Sequence, residues 1–285
     1  MEKMKIGVIG SGMMGAEIAL CFAGCGYTVV MSDSSKELAD KGKTRQASIL
    51  DKNISKGKLA AEEKDFILRK VITVEGYREM VDCDLIVEAV FEDFAVKSKI
   101  FKELESVCKE DCIIASNTSS ISITKMASVL SKERASKFIG THFNSPASVM
   151  KLVEVIPGYL TDSSVVDAVL QILADIGKEA VKVKDVTGFA LNRLFHAFTA
   201  EACRLVEEGV CSVEDVDKVC LYGLGHPMGI FKLLDLTGHD LNMSVDRILF
   251  EEYGERFRPS PYMQRLVHAG LYGKKSGEGF YKYDK

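Results

Sequence analysis

The start of this chain restricts its fold more than any other stretch. Met4-Lys5-Ile6-Gly7-Val8-Ile9-Gly10 is an apolar run of strand length, and Ser11-Gly12-Met13-Met14-Gly15 leads from it into the helical pattern Ala16 to Cys25. In a strand, loop and helix of this kind Gly10 permits the tight turn, Gly12 lets the backbone approach a pyrophosphate, and Gly15 allows the helix to pack on the strand. Free N–H groups at the helix start attract the anion. Gly10, Ser11, Gly12, Met13, Met14 and Gly15 are therefore candidate dinucleotide contacts. Gly26 to Asp33 supplies a second strand ending in an acid, and Asp33 follows Gly12 by about the 20 residues expected of the carboxylate that binds the adenosine ribose. Such a carboxylate favours the 2′-hydroxyl of NAD, while Ser34, Ser35 and Lys36 leave NADP open.

Beyond Lys70, Val71 to Val74, Asp84 to Val90, Ile113 to Ser116 and Phe138 to His142 read as further buried strands, with a helix through Lys97 to Cys108 between two of them. Strands alternating with helices indicate a parallel, doubly wound α/β sheet, whose ligands bind at the carboxyl ends of the strands. Asp33, Glu92, Ser119 and His142 all fall at or just past such ends. The stretch Ser116 to Glu154 gathers a hydroxyl run, a histidine and a carboxylate. An imidazole moves protons at working pH, and a carboxylate on its other nitrogen fixes the tautomer and steadies the charge that forms.

Composition narrows the function classes. The chain has 285 residues, 47% of them hydrophobic, with a net charge of −4, which suits two domains and gives no sign of a nucleic-acid surface. No apolar run reaches transmembrane length and the start lacks a signal-peptide pattern, so a cytoplasmic protein off the membrane is expected. Its eight cysteines read as reduced packing residues. From Ser35 to Lys70 the pattern is polar and helical, and Lys52, Lys56 and Lys58 form either a solvated face or a basic rim for an acidic ligand tail.

After Glu154 one more α/β unit is expected, with a helix over Ser163 to Ile176 and a strand over Glu179 to Val183. Composition then changes, which predicts a Rossmann-type domain over residues 1–185 and an all-α domain over 186–285. Phe189 to Glu208 has helical apolar spacing, and Val213 to Leu221 opens with Ser212 and Asp215 as capping signals. Asn192, polar within the first of these helices, should be paired or functional. Phe189, Leu191, Leu194, Phe195, Phe198, Leu205, Leu233, Leu234 and Leu236 offer more apolar surface than so small a unit hides alone, which predicts a homodimer.

These motifs together resemble the 3-hydroxyacyl-CoA dehydrogenase family, and within it the bacterial 3-hydroxybutyryl-CoA dehydrogenases. The resemblance runs through Gly10 to Gly15, Ser116-Asn117-Thr118-Ser119-Ser120, His142-Phe143 with Pro146, Met150 to Glu154, Thr187-Gly188-Phe189 with Asn192-Arg193, His226-Pro227-Met228-Gly229 and Gly277-Glu278-Gly279-Phe280-Tyr281. It implies a helical domain that dimerises and an NAD-linked interconversion of 3-hydroxybutyryl-CoA and acetoacetyl-CoA, without a metal. It implies His142 as acid/base, Glu154 as its partner, and Ser119 and Asn192 on the substrate oxygens. Glu92, Lys97, Asn117, Ser119 and Ser145 fall at cofactor positions, and Lys56 is a looser candidate for the coenzyme A phosphates. Two departures stand out: Ser145 replaces the usual asparagine, and Ile230 and Lys232 replace a proline and a glutamate, which leaves acyl-chain preference open. Two other functions stay open beside this one, a dehydrogenase of a free hydroxy acid and a catalytically weak dinucleotide-binding protein.

Overall fold

A computed structural model describes residues 4–284. The chain divides between Val186 and Thr187 into two compact units. In the first, β1 (Lys5–Ile9), α1 (Met13–Gly24), β2 (Thr28–Asp33), α2 (Lys36–Ser55), α3 (Ala61–Arg69), β3 (Val71–Glu75), β4 (Leu85–Glu88), α4 (Phe94–Val107) and β5 (Ile113–Ser116) follow one another. The short helices α5 (Ile123–Ala127) and α6 (Lys132–Ala135), then β6 (Phe138–Phe143), β7 (Leu152–Pro157), α7 (Ser163–Asp175) and β8 (Glu179–Lys182), complete it. The strands form one sheet in the order β3-β2-β1-β4-β5-β6-β7-β8. β1, β4, β5 and β6 are buried over nearly their whole length, as parallel strands covered on both faces must be. This is the doubly wound architecture expected from the alternation of strands and helices.

One pairing departs from the all-parallel expectation: β7 runs antiparallel to β6, while β8 is again parallel to β7. The physical reason lies in the connection. Residues 144–151 form a short loop without a helix, and a parallel return needs a crossover of roughly a dozen residues or more. The polar stretch after Ser35 is two helices, broken around Gly57, with the Ser35 hydroxyl capping α2 by accepting from the Leu38 amide at 3.2 Å.

The glycine loop is held by contacts that leave no room for a side chain. Gly10 has φ of 90°, a left-handed value, and a Cβ on Gly15 would stand 1.8 Å from the Gly10 carbonyl oxygen. Nothing lies within 4 Å of the place a Gly12 Cβ would take, so that backbone is open to a ligand.

The second unit is helical: α8 (Leu191–Glu207), α9 (Val213–Lys218), α10 (Ile230–Thr237), α11 (His239–Tyr253) and α12 (Pro261–His268). α8 starts two residues later than its apolar spacing suggests, because buried Phe189 takes a left-handed φ of 47°. α9 passes at Val219 into a wide turn of π type. The core gathers Cys203, Val216, Phe231, Leu234, Met243 and Met263.

Gly15→Ala is expected to cost about 1–3 kcal/mol of stability by overpacking, read as a lower urea midpoint. Gly24→Ala, at a helix position where nothing lies within 4 Å of the added methyl, should be neutral or slightly stabilising. Equal midpoints for Gly15→Ala and the unmodified protein would refute the crowding.

Candidate active site

His142 sits near the end of β6 and Glu154 lies directly opposite it on β7 in the antiparallel register. Opposed residues of such a pair present their side chains on one face, close enough to touch. His142 Nδ1 is 2.8 Å from Glu154 Oε2, and both residues are buried. In the neutral imidazole Nδ1–H donates to the carboxylate, which leaves the Nε2 lone pair facing outward. That nitrogen is 3.0 Å from the hydroxyl of Ser119, which donates to it from the loop after β5. The three residues form a line of carboxylate, imidazole and hydroxyl, assembled from two adjacent strands and a loop.

The loop bearing Ser119 is fixed from below. Glu92 Oε1 accepts from the Thr118 hydroxyl at 2.6 Å, the Ser119 amide at 2.9 Å, and the Ser120 amide and hydroxyl at 2.8 and 2.9 Å. Its other oxygen lies 3.5 Å from Lys97 Nζ. Burial acts to raise the pKa of Glu92, but the Thr118 hydrogen bond, the Lys97 charge and the Ser120 bonds outweigh it and hold the carboxyl below its usual range. Asn117 ties the neighbouring strand end, its Oδ1 accepting from the Phe143 amide at 2.8 Å.

Lys97 itself is 1% exposed at its side chain and pairs with Glu88 at 2.6 Å. It lies beneath the loop and acts on it through Glu92. Glu88 also accepts from the Val90 amide and, through its second oxygen, from the Ser116 hydroxyl. Sequence reasoning passed over Glu88. The signal was present, since a carboxylate inside the apolar run Asp84 to Val90 needs a buried cation.

A cavity of about 490 Å³ opens over the glycine loop, lined by Gly10, Ser11, Gly12, Met13 and Met14, by Asp33 and Ser34, by part of α2 and by Ala89 to Phe91. Its residues fit a dinucleotide: no side chain caps α1 and its first turn holds no acid, so those N–H groups are open to an anion. Asp33 is also occupied within the protein. Its Oδ2 accepts from the Ser11 amide and hydroxyl at 2.7 and 2.6 Å, and its Oδ1 from the Ser34 amide at 2.8 Å. Burial acts to raise its pKa, and these bonds outweigh that and lower it.

Three further candidates can be placed on their elements. Ser145 is exposed in the β6–β7 loop, Lys56 is exposed at the end of α2, and Asn192 occupies the first turn of α8 in the second unit.

A glycine-loop cavity on one side of a doubly wound sheet and a histidine–carboxylate pair at its strand ends define a dinucleotide-dependent oxidoreductase. The family model for "3-hydroxyacyl-CoA dehydrogenase, NAD binding domain" matches residues 5–186, and that for "3-hydroxyacyl-CoA dehydrogenase, C-terminal domain" matches residues 188–283. The chain belongs to the 3-hydroxyacyl-CoA dehydrogenase family. A probable 3-hydroxybutyryl-CoA dehydrogenase of Deinococcus radiodurans is 40% identical over 281 residues, covering 98% of this chain and 100% of the relative. A 3-hydroxybutyryl-CoA dehydrogenase of Clostridioides difficile is 40% identical over 287 residues, covering 99% and 100%. The crystal structure of (S)-3-hydroxybutyryl-CoA dehydrogenase from Ralstonia eutropha superposes with a TM-score of 0.93 at 38% identity, covering 99% of this chain and 100% of that one.

The lowered pKa of Glu92 gives a pH prediction. A carboxyl whose folded pKa lies below its unfolded value adds stability that is fully present above roughly pH 4.3 and is lost as pH falls through the folded value. Glu92→Gln should therefore lower the urea midpoint by a constant amount from pH 5 to 8. The gap should shrink below about pH 4; a gap that widens on acidification would contradict the assignment.

Proposed function

We propose that this protein interconverts 3-hydroxybutyryl-CoA, or another short-chain 3-hydroxyacyl-CoA, and acetoacetyl-CoA with NAD. The observation that carries this reading is His142 held between Glu154 at 2.8 Å and Ser119 at 3.0 Å. The nicotinamide of a bound NAD supplies the hydride acceptor in oxidation and, reduced, the hydride donor in the reverse direction. In oxidation His142 Nε2 takes the proton of the 3-hydroxyl, and Glu154 steadies the imidazolium that results. In reduction the same nitrogen returns the proton to the ketone oxygen. Ser119 Oγ, now on Nε2, marks where that oxygen is received, and its hydroxyl turns to donate to it. The loop held by Glu92 keeps Ser119 in reach. The Asp33 carboxylate, at the cavity end where the adenosine ribose belongs, supports NAD over NADP.

A positioned proton transfer is worth roughly 100- to 10,000-fold in rate. His142→Gln is expected to lose that much kcat with acetoacetyl-CoA and NADH while its Kd for NADH stays within about twofold. Glu154→Gln should be milder. Free acetoacetate should be reduced poorly by the unmodified enzyme. Near-normal kcat in His142→Gln would remove the acid/base role, and faster turnover of free acetoacetate than of the thioester would point to a hydroxy-acid dehydrogenase.

We also infer a homodimer joined through the helical unit, and a cytoplasmic location. The first is supported by exposed apolar side chains on that unit, among them Leu194 at 73%, Leu236 at 54% and Tyr222 at 85% exposure. Phe189 and Leu234 are buried within it, and Phe195, Phe198, Leu205 and Leu233 pack partly against its core. The second is supported by cysteines used as packing residues, with Cys83, Cys108, Cys112, Cys203 and Cys220 buried, in a chain too long to need disulfide staples. Light scattering at micromolar concentration should give about twice the 31.4 kDa of one chain. A mass of one chain with full activity would exclude the dimer.

A further inference from the structure

The cavity over the glycine loop has two walls whose side chains the chemistry above leaves unused. On one wall α2 presents Lys41 and Arg45. This helix lies close against the loop, since a Cβ on Gly42 would stand 2.6 Å from the Ser11 Cβ. Lys41 is engaged by Glu37 at 2.7 Å. Arg45 is exposed, and among the described residues it forms no ion pair, which leaves a guanidinium uncompensated beside the uncapped start of α1.

On the other wall stands Phe91, with 83% of its surface in water. The backbone around it is fixed on both sides. The Val90 amide donates to Glu88 at 2.7 Å, the Asp93 amide donates to the Phe91 carbonyl at 2.8 Å, and Glu92 is tied to the loop after β5. A large aromatic ring on a fixed backbone at the mouth of a ligand cavity is a stacking platform waiting for a flat partner.

We propose that Phe91 and Arg45 grip the adenosine-diphosphate half of the cofactor from opposite walls, the phenyl ring against the adenine and the guanidinium against the pyrophosphate. The inference rests on reading this cavity as the dinucleotide site. It adds two side-chain contacts to the backbone cradle and Asp33, and both act on the half of the cofactor that takes no part in the chemistry. The choice of pyrophosphate for Arg45 follows from place and charge. Arg45 follows Gly42 on α2 and lines the same cavity as Gly12 and Met13, where α1 presents its open N–H groups. A planar guanidinium meets phosphate oxygens through two parallel hydrogen bonds.

The chain has no tryptophan, which makes the stack directly readable. Phe91→Trp introduces a single indole, and ADP-ribose, which carries no nicotinamide, should quench its emission in a saturable way. Unquenched emission at ADP-ribose concentrations that displace NADH would overturn the stack. For the second contact, Arg45→Ala should raise the Kd for NADH, followed by the cofactor's own fluorescence, roughly 10- to 100-fold. Its Kd should respond less to salt than that of the unmodified enzyme, and Arg45→Lys should recover part of the loss. The loss should be equal for NADPH. An unchanged Kd and salt response, or a loss confined to NADPH, would overturn the assignment to the pyrophosphate. Phe91→Ala should weaken NADH and ADP-ribose alike, roughly 5- to 100-fold, with the salt response intact. If the unmodified enzyme binds NADH while these variants bind it equally well, only the grip falls. If the unmodified enzyme fails to bind NADH, the reading of the cavity falls first and the grip with it.

Discussion

A lysine ammonium with 1% of its side chain exposed cannot stay charged alone, and the first unit is arranged around that constraint. Lys97 reaches from α4 to the end of β4, where Glu88 meets it at 2.6 Å. Removing one partner of such a buried pair typically costs about 3–5 kcal/mol, because the other charge is left without compensation. The pair also organises what lies above it. Glu88 takes the Val90 amide and the Ser116 hydroxyl, so the ends of β4 and β5 are tied to the same carboxylate. Lys97 then reaches Glu92, which gathers four donors from the loop after β5. The position of the Ser119 hydroxyl against His142 is therefore set through Glu92 and the buried Lys97–Glu88 pair.

The second constraint is topological. A short connection after β6 forces the chain back antiparallel, and the register of that turn places Glu154 opposite His142. A one-residue slip would send the carboxylate to the other face of the sheet. Several contacts hold the loop that sets this register. The Ser148 amide and hydroxyl both donate to buried Glu17 on α1 at 2.9 Å, and Lys178 donates to the Ala147 and Met150 carbonyls. Asn144 donates to the Leu152 carbonyl at 3.1 Å across the same turn. The pairing of His142 and Glu154 thus depends on α1, the helix whose start lines the glycine-loop cavity.

The parts of this arrangement legible in the sequence were those where one residue type has one physical use. Gly10, Gly12 and Gly15 could be assigned separate roles because turn, approach and packing each exclude a side chain. The strand series was legible because buried parallel strands are continuous apolar runs. What escaped was pairing at a distance. Lys97 and Glu88 lie nine positions apart, yet only the fold reveals that they pair; the family resemblance implied only a cofactor position for Lys97. β7 escaped as a strand, because Met150 to Glu154 was read only as a motif bearing a carboxylate, and its reversal escaped with it; the shortness of residues 144–151 was the clue to its direction. Asp33 was legible by its spacing from Gly12, but its hydrogen bonds to Ser11 and Ser34 were not. They show that this carboxylate also holds the glycine loop against the end of β2.

In the helical unit one stretch of the family resemblance serves the fold. The stretch Gly277 to Tyr281 reads like a functional signature, yet its interactions are those of an anchor. Buried Asp235 on α10 accepts from the Phe280 and Tyr281 amides, both at 2.9 Å, and from the Tyr283 hydroxyl. Asp217 on α9 accepts from the Phe231 amide at the start of α10 and from the Tyr281 hydroxyl, both at 2.8 Å. Phe280 inserts among Phe231 and Tyr262, with ring centroids 4.5 and 5.2 Å away. Two buried carboxylates would be costly in a helical core without such donors, and the amides of an irregular segment would lack partners without such acceptors. Each supplies what the other lacks. Residues 280–283 are fastened to α9 and α10, and Asp217 also gives α10 the cap that its N-cap residue, Gly229, has no side chain to provide.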